Sequence, residues 1–262
     1  MPFDLTTGTE RQNMQCTWKS GVDCLKLFKA IQHTNRMVNI QFDERGLHIM
    51  TMDTSKTSLV RLELEPCEFK EFRCPTPVTI GIYTDVLVNI LNKAKKHEVM
   101  WSVTHDTELC ILFKVDDQTT QWTVRTIDID EDQLDIPELE DDMALCVPRD
   151  VLRQWLDMVL MGKADVGFKV TDQNIVCESK SIEMGTICHT EPVKTDRVRV
   201  LAARKPVDIL LSFNSAKSID VYAAMGGESC FLGLSGEQPT RIKVSLGDDS
   251  YLCLYVAPKI TE

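Results

Sequence analysis

The same order of predicted elements occurs twice along this 262-residue chain, and that repeat constrains the fold more than any single motif. In the first half, Ser20 to Thr34 carries apolar residues at Val22, Leu25, Phe28 and Ile31, the spacing of a helical stripe. Strand-like segments follow at 38–42 and 47–52, separated by the turn Asp43-Glu44-Arg45-Gly46, and then at 57–65 and 78–82. A second helix is predicted from Thr84 or Asp85, with Val86, Leu87, Ile90 and Leu91 on one face. Alternating strands at 99–103, 109–115 and 121–127 close the half. The second half repeats the plan. Pro148-Arg149-Asp150 opens a helix, Leu152, Trp155, Leu156 and Val159 form its apolar face, and Gly162 ends it. Strands are predicted at 166–170, 175–178, 184–190 and 207–213, a helix from about Asn214 to Ala224, and strands again at 230–234, 241–246 and 252–256. Corresponding elements lie roughly 130 residues apart. Two short helices and many hairpin-spaced strands per half predict an α+β class, with helices covering one face of antiparallel sheets.

Between the halves lies an unusually acidic stretch. From Asp128 to Asp142, nine of fifteen residues are acidic, and no Lys or Arg occurs between Arg125 and Arg149. Such a run repels itself and favours an extended chain. Ile127, Ile129, Leu134, Ile136 and Leu139 are spaced through it and can fix it onto a folded surface. It reads as a linker between two similar domains.

Composition narrows the function classes. Hydrophobic residues make up 43% and charged residues 26%, as in ordinary globular chains. No apolar run approaches the ~20 residues of a membrane span. The start Met1-Pro2-Phe3-Asp4-Leu5 lacks the pattern of a signal peptide, so an intracellular protein is expected. Ten cysteines form no CxxC and sit mostly among aliphatic neighbours, which predicts reduced, buried thiols and neither a disulfide framework nor a zinc site. A net charge of −11 repels nucleic acid from the surface as a whole.

The basic residues are nevertheless arranged. Lys26 and Lys29 fall off the apolar stripe of the first helix, and Lys93, Lys95 and Lys96 off that of the second. Arg149 and Arg153 stand opposite the apolar face of the third, and Lys217 is the basic residue of the polar fourth. Asp23, Asp150, Asp157 and Asp220 dilute the pattern. If the four helices share one side of the sheets, they present a weakly basic surface suited to phosphate contact without base readout.

Three segments carry a family resemblance: Met52-Asp53-Thr54-Ser55-Lys56-Thr57-Ser58-Leu59-Val60, 128–137, and Tyr255-Val256-Ala257-Pro258-Lys259-Ile260. In this order, and with the duplication, they resemble the eukaryotic sliding-clamp family of proliferating cell nuclear antigen from about Gly21 to Glu262. The resemblance implies clamp domains at 1–127 and 144–262 joined by a connector at 128–143, in a homotrimeric ring with sheets outside and helices lining the hole. Double-stranded DNA would pass through the ring, which would act as a polymerase processivity factor. Its ring-lining residues would be Lys26, Lys29, Lys93, Lys95, Lys96, Arg149, Arg153 and Lys217. Partners would include a DNA polymerase, a clamp loader and other proteins carrying the family's interacting peptide motif. A short helical turn of such a peptide would enter a pocket of Met52, Lys56, Leu59, Leu134, Ile136, Pro137, Pro239, Tyr255, Val256, Ala257 and Pro258. Edge strands at Thr119–Arg125 and about Met184–Thr190 would pair between subunits, head to tail. The expected location is the nucleus, or a site of viral DNA replication, and neither a cofactor nor a metal is implied.

The chain departs from the family at several places. Lys56 stands where His is common in the pocket, Thr171 where the family has its modification lysine, and about a dozen residues precede the first helix. Two rival classes are weighed. Asp128, Asp130 and Asp132 are spaced as in a calcium loop, but Gln133 and Leu139 occupy positions that need Gly and Glu. No P-loop, GxSxG or zinc-spaced cluster supports an enzyme such as a metal-dependent nuclease. A subunit of a heteromeric checkpoint-type clamp is the other rival.

Overall fold

Helical and alternating periodicities become four α-helices and 18 strands among the described residues of the computed structural model, which are 13–104, 107–115, 118–130, 136, 139–193, 197–225 and 227–259. The first repeat runs β1 (Met14–Trp18), α1 (Gly21–Thr34), β2 (Met37–Asp43), β3 (Gly46–Met52) and β4 (Ser58–Leu64). After a 3-10 turn at Pro66–Glu68 it continues with β5 (Phe69–Arg73), β6 (Val78–Tyr83), α2 (Thr84–Ala94), β7 (Val99–Val103), β8 (Glu108–Val115) and β9 (Gln118–Arg125). The second repeat runs β10 (Met143–Pro148), α3 (Arg149–Leu160), β11 (Val166–Val170), β12 (Asn174–Ser181), β13 (Gly185–Pro192) and β14 (Arg199–Ala203). It ends with β15 (Val207–Leu211), α4 (Phe213–Ala223), β16 (Ser229–Leu234), β17 (Thr240–Ser245) and β18 (Tyr251–Val256). The class is α+β, and element order is the same in both repeats.

The described residues form two compact units, one drawn from Met1–Lys29, Arg36–Ile49 and Leu64–Asp130, the other from Ala30–Asn35, Met50–Glu63 and Glu131–Glu262. In the first, β5-β1-β7-β8-β9 form an antiparallel sheet, and β2 pairs with β3 and β6. Its core holds an aromatic cluster in which Trp18 lies 4.9 Å from Phe69 and 5.2 Å from Trp101, ring to ring, with Phe28 5.4 Å from Trp101. Such edge-on packing adds to the large apolar area these rings remove from water.

In the second unit, β14-β10-β16-β17-β18 repeat the order of β5-β1-β7-β8-β9, and β12-β11-β15 repeat that of β3-β2-β6. Here β18 is followed by β4, antiparallel, with Tyr251 opposite Glu63 and Tyr255 opposite Leu59. Trp155 of α3 and Tyr222 of α4 are fully buried, and the Tyr222 hydroxyl is 2.8 Å from that of Thr34.

Several expectations need correction. The strands β1, β5, β10 and β14 were not anticipated; they are the same two elements in each repeat, and β1 pairs with β5 as β10 does with β14. Val22 and Val86, assigned to apolar stripes, are 40% and 41% exposed, because the buried faces centre on Cys24, Leu27, Phe28 and Ile31 and on Leu87, Val88, Ile90 and Leu91. Helix α2 stops at Ala94, so Lys95 caps it and Lys96 lies beyond it. Helix α3 does end before Gly162, yet the residue in the left-handed region is Lys163, with φ of 49°. Gly162 is small for a packing reason: a Cβ there would lie 3.1 Å from the Ser179 hydroxyl and 3.3 Å from Ile187. All ten cysteines are free, but only Cys16, Cys24, Cys177, Cys230 and Cys253 are buried.

Candidate functional site

An apolar concavity is built around the turn between β3 and β4. The Asp53 carboxylate organises that turn by accepting the backbone N–H of Thr57 at 2.7 Å and of Ser58 at 2.8 Å, the Thr57 hydroxyl at 3.0 Å, and a further hydroxyl donor in Ser55. Burial opposes its charge, but these hydrogen bonds outweigh burial and hold the carboxyl below its ordinary pKa. The turn leaves Lys56 exposed at a φ of 56°, a conformation most non-glycine residues avoid. Ala257 N–H donates to the Thr57 carbonyl at 2.8 Å and ties the end of β18 to this turn.

The acidic segment supplies the opposite wall. Near its end, Glu140 N–H donates to the Gln238 side chain at 3.0 Å and Asp142 N–H to the Leu234 carbonyl at 3.0 Å. Asp141 pairs with Arg241, and Glu140 with Arg204. Carboxylates thus fasten the segment, while Ile136 and Leu139 turn to the concavity.

The resulting cavity, about 160 Å³, is lined by Met52, Lys56, Thr57, Ser58, Leu59, Ile136, Leu139, Pro239, Tyr255 and Ala257. Seven expected pocket residues therefore meet here: Met52, Lys56, Leu59, Ile136, Pro239, Tyr255 and Ala257. Val256 does not join them, because strand alternation buries its side chain completely. Pro258 is half-buried outside the lining, and Leu134 and Pro137 lie outside the described residues. Leu139 was missed as a wall, although its apolar side chain inside an acidic run was the signal. Burial, with the neighbouring Cys253, raises the Tyr255 pKa and keeps it a neutral phenol. Mostly apolar walls with a few hydroxyls suit apolar peptide anchors, each contributing ~1.5–3 kcal/mol on full burial.

The expected basic residues divide into two groups. Lys26 is 3.7 Å from Asp23, Arg149 3.0 Å from Asp150, and Arg153 of α3 3.0 Å from Asp220 of α4. Lys29, Lys93, Lys95, Lys96 and Lys217 are exposed, with no carboxylate within 4.0 Å among the described residues. Burial, and then the charge of Lys217, lowers the pKa of His33. The second group is the more available to phosphate.

Two of the strands that end sheets among the described residues are long and exposed. β9 is the last strand of its order, and β13 of its own. Both are eight residues long and exposed over most of their length. Beside β9, Tyr83, Val86, Ile90 and Trp122 line a groove of about 510 Å³. Trp122 is 45% exposed, and Met184, just before β13, is 53% exposed. Among the described residues no three His, Cys, Asp or Glu side chains gather as metal ligands.

Residues 17–135 match the family model for the proliferating cell nuclear antigen, N-terminal domain. Proliferating cell nuclear antigen of Chaetomium thermophilum is 23% identical over 243 residues, covering 90% of this chain and 93% of that protein. The corresponding protein of Saccharomyces cerevisiae is 25% identical, covering 87% and 90%. A probable DNA polymerase sliding clamp 2 of Paramecium bursaria Chlorella virus 1 is 24% identical, covering 90% and 87%. The crystal structure of the Entamoeba histolytica antigen superposes with a TM-score of 0.84 at 22% identity, covering 95% of this chain and all of that one, and so shares its fold.

Proposed function

We propose that the chain is a DNA sliding clamp of the proliferating cell nuclear antigen kind, which its similarity to those proteins supports, and that it closes into a homotrimeric ring around duplex DNA. The observation that carries this reading is the pair of matched strand edges. Within the chain, β18 pairs antiparallel with β4. Their repeat counterparts, β9 and β13, are both sheet ends among the described residues. The same pairing between copies joins β9 of one subunit to β13 of the next. Long exposed edges, with Trp122 on β9 and Met184 just before β13, would invite aggregation in a free monomer, and closure removes them. Such a contact is heterologous and repeats head to tail until the ring closes.

In this reading 1–127 and 144–262 are two clamp domains joined by a connector at 128–143. The helices face the hole, where Lys29, Lys93, Lys95, Lys96 and Lys217, with Lys26, Arg149 and Arg153, neutralise phosphates without reading bases. The pocket at Tyr255 and Ile136 takes the apolar turn of a partner peptide from a polymerase, a clamp loader or a repair protein. Val256 and Pro258 remain part of the proposed site through their backbone and flanking position. The protein is then a tether and docking platform, not a catalyst, working in the nucleus or at a viral replication site.

Native mass spectrometry, followed by retention on circular DNA, tests the proposal. Three copies of one chain are expected, held on closed circles and released when the circle is cut. A strict monomer, or assembly only with a different chain, would overturn it and favour the heteromeric clamp. Equal loss from circular and linear DNA would count against encirclement.

A further inference from the structure

A cationic strip leaves the pocket along the outward face of β17, β18 and β4. Strand register sets Arg241, Tyr255 and Leu59 opposite one another, then Lys243, Cys253 and Arg61, then Ser245, Tyr251 and Glu63. The alternate residues Leu252, Leu254 and Val256 are fully buried in the core. Aromatic rings hold the cations in place. The Arg241 guanidinium lies 5.0 Å from the Phe231 ring centre, the Lys243 ammonium 3.9 Å from that of Tyr251, and Arg61 5.9 Å from the same ring. Burial raises the Cys253 thiol pKa, and Arg241, Lys243 and Arg61 all stand near enough to oppose that rise. Three cations therefore converge on one face of a chain whose net charge is −11.

The strip's own carboxylates neutralise it only in part. Glu63 pairs with Arg61 at 2.8 Å, and Asp141 pairs with Arg241. Lys243 is exposed and has no carboxylate within 4.0 Å among the described residues. Its ammonium, docked on Tyr251, gives up little side-chain freedom on meeting an anion. Arg61 and Arg241 use part of their five-donor forks on internal partners and can share the rest.

We propose that this strip binds an acidic flank of the same partner peptide whose apolar anchors enter the pocket, an inference that rests on the peptide-docking reading above. Continuity favours a peptide, because Tyr255 and Leu59 line the pocket and also begin the strip. Length fits as well. From Tyr255 to Tyr251 the strand covers ~13 Å, room for about four extended residues. Charge sets the sequence preference: two or three Asp or Glu beside the anchors complete the pairing of Lys243, whereas a basic flank opposes all three cations. The overall negative charge repels acidic ligands at long range, so the selectivity is short-ranged and weakens with salt.

The test uses three synthetic peptides that share one helical turn with an aliphatic and two aromatic anchors, flanked by three Asp, three Ser or three Lys. Fluorescence anisotropy reads their affinity for the full chain and for Lys243→Glu. The Asp-flanked peptide should bind wild type about five- to tenfold more tightly than the Ser-flanked one at low ionic strength. Lys243→Glu should abolish that advantage while the Ser-flanked peptide binds as before, which also shows that the variant is folded. Equal affinity of the Asp and Ser peptides for wild type, or an advantage that survives Lys243→Glu, would sink the strip proposal and leave the pocket standing. Failure of every peptide to bind would remove the pocket reading and this one with it. Lys243-dependent binding of oligothymidine, without any gain from the Asp flank, would reassign the strip to single-stranded nucleic acid.

Discussion

Asp43 illustrates how single carboxylates shape the turns of this chain. At the β2–β3 turn it accepts the Arg45 backbone N–H at 2.7 Å and the guanidinium at 2.8 Å, and lies 3.0 Å from His48 Nε2. Burial works against its charge, but the Arg45 and then the His48 hydrogen bonds win and bring its pKa down to about 2. A depressed folded-state pKa stabilises the fold fully above the unfolded value near pH 4, and the gain is lost as pH falls toward 2. Asp43→Asn should therefore lower the melting temperature by roughly 2–4 °C at pH 7, with the difference vanishing near pH 2. Calorimetry across that range checks it, and a pH-independent difference would rule out the charge as the cause. Asp53 plays the same part at the pocket turn, and its neighbour Lys56 shows a limit of sequence reading. Its positive φ follows from hydrogen bonds closing around Asp53, which no propensity for Lys announces.

At the scale of elements, most helices and strands were legible, while β1, β5, β10 and β14 were not. Met14, Cys16 and Trp18 do alternate inward along β1, but Met and Cys carry that pattern less conspicuously than Val or Ile. In β14 small Ala residues weaken the alternation in the same way. Reading the repeat at both ends would have found them, since each has its partner one period away. Close approaches between elements were equally hidden. Gly81 of β6 pairs with Ile127 at the start of the acidic segment, and a Cβ there would fall 2.2 Å from the Ile127 carbonyl oxygen. The obstacle is backbone, so it cannot rotate away. Gly81→Ala should cost about 2–4 kcal/mol in chemical denaturation. Gly167→Ala, which meets the flexible Glu178 side chain at 3.2 Å, should cost much less. Equal destabilisation by the two would mean that Gly81 serves chain flexibility alone.

For the whole molecule, charge distribution matters more than net charge. A chain at −11 cannot hold DNA by its average field, so the proposed ring depends on where Lys29, Lys93 and Lys217 stand. These three have no carboxylate within 4.0 Å among the described residues, unlike Lys26, Arg149 and Arg153. Replacing Lys29, Lys93 and Lys217 together by Ala should weaken DNA association while native mass still reports the wild-type assembly. The slope of log affinity against log salt should flatten by roughly 0.9 for each phosphate that is no longer neutralised. An unchanged slope would show that DNA does not meet these helices.

By itself the sequence determined the repeat, the α+β class, the position of the acidic segment and the resemblance to sliding clamps. Hydrophobic period and local spacing carry those signals along the chain, and they need no knowledge of what lies opposite. Tertiary structure decided which residues actually meet. It set β18 against β4 and left β9 and β13 as edges, because pairing joins strands far apart in sequence. It turned Val256 into the core and Tyr255 into the pocket, because adjacent strand residues face opposite sides. It also gathered Arg61, Arg241 and Lys243 onto one face, a juxtaposition invisible in a chain where they stand up to 182 positions apart, from 61 to 243. Such groupings depend on register, and register is fixed only when the core has formed.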